Sequence, residues 1–416
     1  MQLASDDEKK LKFELLSHKF ETLMKALFRQ RGAQLDINIL ATDKAQDFIN
    51  THASILDSTF EQTKMSDRMR ERLTRSNYIF SGMKTFHELN EAFPSLLDEN
   101  GDRKTFEHFL DDVQTINETY NKNYLRAEYN FVHQSAQMAS RWEQFEEDGD
   151  RYYLQYRTAG DDKVRPEHAA LNRITLPMSD PFWESYYPPN GWNCRCTVVQ
   201  VLKWKYDKTD PKQAQDRGKE ALDGERFNIF RFNSGKQQKA VPDYNPYTIK
   251  RCNDCDVARG KIDLAIPDNE VCAACKRIRT CALNRDKSLV CAKKTAAISN
   301  STNFIRKSAA LKTGKYFQSK GALKLGLSHA HSSEEVAAFS WIPNHLDNLQ
   351  FVRFSPLGEV KDLSSEKDIR NINKKKKRNA TGYNIYNINI DGEIWQLKTE
   401  VRGGSRETLY IAFKKK

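Results

Sequence analysis

The stretch RTAGDDKVRPEHAALNRITLPMSDPFWESYYPPNGWNCRC, residues 157–196, is the most informative in the chain. It reads as loops locked by their own side chains. Pro188-Pro189 fixes an extended approach, Asn190-Gly191 supplies a turn with a positive-φ position, and Trp183 and Trp192 are large apolar anchors for loops that otherwise bury little. Asp161 and Arg165, four apart, pair if they share a helical turn, with His168 one turn further on. Pro166 opposes that helix, because it pushes Arg165 toward extended geometry. Cys194 and Cys196 point the same way along a strand. Together with His168, and with Asp161 as a fourth ligand, they form a set that suits zinc: two thiolates, an imidazole and a carboxylate. The same residues suit a buried hydrogen-bonded network of His168, Asp161 and Arg165 beside simply buried thiols. That alternative is preferred, because no Cys-x-x-Cys lies upstream in this segment.

Working outward, residues 11–144 carry apolar side chains at three- and four-residue spacings, as in residues 13–20 and 106–140, with breaks at Pro94 and Asn100-Gly101-Asp102. A helical N-terminal region is expected there. After Asp150 the texture changes to a short strand around Tyr152–Arg157, then Pro- and Gly-rich loops, then a second strand over residues 197–202. A small α+β cap closes the helical part. Residues 206–250 are polar and turn-rich and read as a linker with some local structure. From about Ser299, helices are expected over residues 302–312 and 334–339, followed by strands over 383–390, 393–401 and 407–413. Asp391-Gly392 between the first two strands is a tight-hairpin signal. The chain is therefore multidomain: residues 1–205 mainly α-helical with the α+β cap, residues 206–295 a linker with a cysteine knuckle, and residues 296–416 an α+β domain with an antiparallel meander.

At 416 residues the chain has room for two to four domains, and with 38% hydrophobic residues it can bury real cores. The opening MQLASDDEKKLKFELL lacks a basic stretch followed by an apolar run, so no secretory signal is expected, and no segment has the apolar length of a membrane span. A soluble product of the cytosol, with no membrane partner, is expected. The net charge of +11 is uneven: Glu146-Glu147-Asp148 lies early, whereas Lys374-Lys375-Lys376-Lys377-Arg378 and Lys414-Lys415-Lys416 lie late. Such asymmetry suits either a polyanion-facing C-terminal end or a solvated loop and a frayed terminus.

Eight cysteines in a cytosolic product favour metal or reduced thiols over disulfides. Cys252-x-x-Cys255 and Cys272-x-x-Cys275 are separated by sixteen residues, within the spacing of paired zinc knuckles. Four thiolates close a tetrahedral structural zinc site, with no position open to water. The flanking Lys276-Arg277-Ile278-Arg279 and Arg285 allow nucleic-acid contact as well as a solvated knuckle face.

Residues 157–196 also resemble the signature of the phage Mu F-like minor head proteins. That signature runs from an Arg/Asp/Arg/His cluster (Arg157, Asp161, Arg165, His168) through Asp180-Pro181-Phe182-Trp183 to Pro188-Pro189-Asn190-Gly191-Trp192-x-Cys194-Arg195-Cys196. The match covers about forty residues and is irregular, which makes it more specific than a short regular pattern. The resemblance implies a virion component present at few copies, bound near the portal, assembled with capsid proteins before DNA packaging, and without enzymatic activity in this segment.

The last 115 or so residues are similar, in the order of their elements, to the barnase, EndoU, colicin and RelE-like ribonuclease group, whose domains are found behind Mu F-like segments. That resemblance rests on His329 and His331, the Ile342-Pro343-Asn344-His345 step, and Lys398, Arg402, Arg406, Thr408 and Tyr410. It implies metal-independent RNA cleavage, which needs a base, an acid and cations for the phosphorane charge. His329 is the chosen acid or base, with His331 or His345 as alternatives; Lys398, Arg402 and Arg406 hold phosphate; Thr408 or Tyr410 bonds the scissile group. Two competing readings are a purely structural head protein whose basic end binds packaged DNA or the portal, and another toxin class such as an ADP-ribosyltransferase. No Gly-rich phosphate loop or paired catalytic carboxylates stand out for the latter.

Overall fold

The helices begin where polar residues can cap them, in a computed structural model that describes residues 6–60, 63–251, 272–300, 302–357, 366–390 and 392–414. After α1 (Asp6–Phe28), Thr42 Oγ1 accepts from the Ala45 N–H to start α2 (Asp43–Asp57), and Ser66 Oγ accepts from the Met69 N–H to start α3 (Asp67–Ala92). Thr105 caps α4 (Phe106–Asp112), which leads through α5 (Gln114–Asn117) into α6 (Leu125–Asp148). Gly149, at φ +57°, ends α6. Leu16, Phe20, Leu23 and Leu27 of α1 meet Phe48, Leu56, Leu73, Phe131 and Val132 in one apolar core. The expected helical region is present, and its breaks fall near Pro94 and Gly101 as the sequence indicates.

Beyond α6 the chain forms a three-stranded antiparallel sheet with β1 (Tyr153–Arg157) between β2 (Thr175–Pro177) and β3 (Thr197–Val201). Two short helices, α7 (Pro166–Ala169) and α8 (Phe182–Ser185), interrupt the loops between strands. This α+β cap has its own core, in which Leu154, Tyr156, Leu176, Trp183, Tyr187 and Val198 are buried. The stretch read as a linker is built into these cores. It carries α9 (Pro211–Ala221), α10 (Glu225–Asn228), α11 (Ser234–Gln237) and α12 (Pro246–Arg251). Phe227 joins the cap core, and Phe230, Phe232, Val241 and Tyr247 join the helical core. These aromatic side chains offset the polar composition, because a few large apolar groups suffice to dock an irregular segment.

The helical core also holds ionisable groups. Glu128 Oε2 on α6 accepts from Lys84 Nζ at 2.8 Å and faces His52 Nε2 at 3.1 Å, while Tyr247 donates its hydroxyl to Glu128 Oε1. All four side chains are buried. Burial alone would raise the Glu128 carboxyl, but Lys84 and His52 outweigh it and hold it at about 2. Burial, then Lys84, lowers His52 to about 4. Glu88, one turn from Lys84, is fully buried, and burial raises it to about 8 against the opposing pull of Lys84. The sequence reading missed this group. Asn77, Ser81, Lys84 and Glu88 share one face of α3, a pattern that reads as a solvent-facing stripe, yet all four are buried.

The chain divides into two compact units, Met1–Ala282 and Leu283–Lys416, and α13 (Ala273–Ser299) contains the point of division. The second unit is a mixed sheet in the order β4-β5-β9-β8-β7-β6. Its strands are β4 (Phe304–Lys307), β5 (Lys315–Gln318), β6 (Gln350–Pro356), β7 (Ala380–Ile390), β8 (Glu393–Arg402) and β9 (Arg406–Lys414). All neighbours are antiparallel except β5 and β9. The three terminal strands match the expected meander, and Gly392 takes the positive φ its hairpin needs. The helix expected over residues 302–312 is instead β4 and a turn. Phe304 and Ile305 pair with Gln318 and Phe317, and Gly314 at φ +69° lets the chain reverse. The helices on this sheet are α14 (Lys320–Ser328), α15 (Ser333–Trp341) and α16 (Glu366–Lys377). Leu323, Leu327 and Phe339 pack with Leu397, Leu409 and Ala412 in its core.

Candidate functional site

The loops of residues 157–196 close into one clasp in the first unit. Trp183 donates Nε1–H to the Pro177 carbonyl at 2.9 Å and stands edge-on to Phe182. Trp192 packs against Phe131 and Phe230, with ring centroids 5.1 and 5.6 Å away. Tyr156 donates its hydroxyl to Asn190 Oδ1 at 2.8 Å, Tyr187 reaches the Met138 carbonyl at 2.9 Å, and Gln134 donates to the Cys196 carbonyl at 2.7 Å. Buried strand, loop and α6 are thus tied by bonds that satisfy otherwise orphaned polar groups. The Pro188–Pro189 peptide is cis.

Two expectations within the clasp are corrected. The left-handed residue of the turn is Asn193, at φ +57°, whereas Gly191 serves close approach: a Cβ there would lie 3.0 Å from an Arg165 guanidinium nitrogen. Asp161 does not pair with Arg165 and does not join the cysteines. Arg165 is extended, at φ −64° and ψ 144°, as the following proline dictates, and its guanidinium donates to the Trp192 carbonyl at 2.9 Å. Asp161 is exposed and takes two hydrogen bonds from Arg195, at 2.5 and 2.7 Å. That pair, led by the hydrogen bonds from Arg195, holds the Asp161 carboxyl below the usual range.

His168, Cys194 and Cys196 do converge. In the irregular segment just before β3, Arg195 turns outward to Asp161 while both neighbouring cysteines are buried. His168 Nδ1 lies 3.6 Å from Cys194 Sγ and 3.5 Å from Cys196 Sγ, and all three side chains are buried. Their ligand atoms fall within 4.8 Å of one another. His168 Nε2 is buried without a hydrogen-bond partner among the described residues. The Cys194 thiol is pulled well below its ordinary range, chiefly by Cys196 and then by His168, and Cys196 is pushed up by Cys194 and by burial. The buried network of His168, Asp161 and Arg165 preferred from the sequence is therefore not formed; Asp161 and Arg165 bond elsewhere, and His168 faces the two thiols.

Of the knuckle cysteines, Cys252 and Cys255 lie outside the described residues. Cys272 precedes α13, and Cys275 is buried in its first turn with Sγ 3.8 Å from Met83 Sδ.

In the second unit, a row of side chains lines the sheet face opposite its core. The His329 ring is 4.4 Å from that of Tyr410, Tyr410 is 5.1 Å from Tyr383, and Lys398 Nζ stands 4.3 Å over Tyr383. A shift of register between Lys398 and Thr399 leaves Tyr410 unopposed on β9, so this bulge turns it away from the core that buries Leu409 and Ala412. Burial, then Lys375 and Arg353, lowers the Lys398 ammonium. Arg402 is occupied by Glu400, which also binds Arg378, and both Arg402 and Arg406 lie over the Phe317 ring. Thr408 is buried opposite Glu400. His331 donates its backbone N–H to Glu335, and His345 Nδ1 is bonded to the Trp341 carbonyl beside Trp395. Trp395 is on the core face of β8, which separates His345 from Lys398, whereas His329 stands against Tyr410.

Residues 99–199 match the family of phage Mu protein F like proteins. Over 71 residues the chain is 45% identical to the putative capsid assembly protein F of Escherichia phage Mu, covering 17% of this chain and 16% of that protein. It is 34% identical over 71 residues to the Mu-like prophage FluMu F protein of Haemophilus influenzae, covering 17% of each. The match therefore spans less than a fifth of either curated relative. No solved structure matches the chain at a significant level. Among the described residues, no helix is long and apolar enough to cross a membrane.

Proposed function

We infer that this chain, whose residues 99–199 carry a phage Mu F-like domain, is a phage or prophage head-assembly component that joins the particle at low copy number near the portal. One observation carries the reading: the family-matching residues 99–199 include the segment that folds as a single clasp on the helical unit. A segment whose aromatic anchors are buried against the helical unit is suited to holding a surface in shape for a partner. Its partners are portal and capsid proteins, and its location is the virion. Deleting the gene from the phage or prophage that encodes it tests this. Particles without the protein are expected to be empty or absent, with titre restored by a plasmid copy. Normal yields of DNA-filled particles from the deletion strain overturn the reading.

A second reading concerns the second unit, and the His329-Tyr410-Tyr383-Lys398 row favours it. An imidazole, two phenols and a half-buried ammonium on one face supply the acid, base and phosphate-binding groups that metal-independent RNA cleavage requires. We propose His329 as the acid or base and Lys398 as the phosphate-binding cation; Arg402 is committed to Glu400 and serves the fold. The full chain incubated with RNA in EDTA is expected to cleave it, with His329→Ala and Lys398→Ala each lowering the rate at least a hundredfold. RNA left intact by the folded full chain overturns this, and salt-sensitive DNA binding without cleavage favours instead a structural, DNA-contacting end.

A further inference from the structure

We propose that His168, Cys194 and Cys196 bind one zinc-class divalent metal ion in the clasp, with the fourth coordination position open to the adjoining cavity. The argument is geometric. Tetrahedral zinc with Zn–S of about 2.3 Å and Zn–N of about 2.0–2.1 Å sets nitrogen and sulfur ligands about 3.5–3.6 Å apart. The observed distances from His168 Nδ1 to the two sulfurs are 3.6 and 3.5 Å.

Hydrogen bonding alone accounts poorly for both contacts. A ring nitrogen has one lone pair or one proton and serves one sulfur well, and two thiols have weak donors to offer. A cation at the common centre satisfies all three atoms at once, and the imidazole proton then resides on Nε2. Two thiolates, a neutral imidazole and a divalent ion sum to zero charge, which suits a buried site.

A cavity of about 320 Å³ opens beside the three ligands, with Lys163, Arg165 and Trp192 on its wall. Its three cationic side chains, Lys163, Arg165 and Arg195, favour an anionic fourth ligand, such as hydroxide or a carboxylate. Asp161 does not supply it, being held by Arg195.

The experiment uses the full chain carrying Cys252→Ser and Cys255→Ser, so that zinc on those cysteines does not contribute. Purified under reducing conditions, this protein is expected to contain one zinc per chain, with an X-ray absorption shell of two sulfurs and at least one nitrogen. Adding Cys194→Ser with Cys196→Ser, or His168→Gln, is expected to remove the ion. Cobalt(II) added to the metal-free parent is expected to give thiolate-to-metal charge-transfer absorption. A folded parent without zinc overturns the proposal, as does a shell of four sulfurs or of oxygen and nitrogen only. Undiminished zinc in the Cys194/Cys196 variant does so too. Should the variants fail to fold, the absorption shell of the parent decides.

Discussion

Arg195 binds Asp161 through two hydrogen bonds across 34 residues, and in doing so fixes the outward direction of the one side chain that separates Cys194 from Cys196. The pair is exposed, so its contribution to global stability is small and its effect is local. Asp161→Asn is expected to leave the melting temperature within a degree or two, while amide hydrogen exchange rises in residues 158–165. Because the folded carboxyl titrates below the usual range, the pairing persists in mild acid and is lost only as pH falls through that lowered value. A large drop in melting temperature for Asp161→Asn contradicts this assignment.

Glu88 gives the helical unit an opposite pH response. Its folded pKa of about 8 stands above the unfolded value, so the folded state keeps a proton that the unfolded state has released. Stability from this group is complete below the ordinary carboxylate pKa and declines until pH passes 8, by roughly 5 kcal/mol in all. Glu88→Gln is expected to match the parent near pH 5 and to exceed it at pH 8–9 in denaturant titrations. Equal stabilities at pH 9 contradict it. Glu128, at about 2, and His52, at about 4, act on the acid side, where their contributions fall away as pH drops.

Trp183 is only 1% exposed and bonds the Pro177 carbonyl, so Trp183→Ala leaves a cavity and removes one of that carbonyl's two hydrogen bonds, the other coming from the Asp180 N–H. A loss of about 3–5 kcal/mol in the first unit is expected. Gly235 offers a sharper test of packing: a Cβ there would meet Trp142 Cβ at 2.1 Å. Gly235→Ala is expected to destabilise by about 1–3 kcal/mol despite adding one methyl group. Both effects are read from denaturant curves followed by probes within the first unit, since two units need not unfold together.

In the second unit, Glu400 is fully buried between Arg378 and Arg402. Glu400→Ala leaves both guanidinium groups without their carboxylate and is expected to cost about 3–5 kcal/mol. Burial works to raise the Glu400 carboxyl, but the two arginines outweigh it and hold it below the ordinary range. This stabilisation is therefore lost as pH falls through the lowered value, which acid titration of the unit's unfolding measures. An unchanged stability for Glu400→Ala contradicts the assigned role.

Local pattern determined much of this protein. Apolar spacing placed the helical N-terminal part, alternation and Asp391-Gly392 placed the terminal meander, and Pro166 determined the extended backbone of Arg165. Those are effects of neighbours within a few positions, which a sequence displays directly. Tertiary structure alone decided which partners distant groups found. Asp161 went to Arg195 and not to Arg165 or the cysteines, Phe230 and Tyr247 carried an apparent linker into the core, and residues 304–307 became an edge strand because β5 offered them a partner. The buried Lys84-Glu128-His52 group likewise exists because α2, α3 and α6 meet there. Hydrogen bonds and ion pairs of this kind depend on distances of a few ångströms between chain segments, and such distances are set by how whole elements pack.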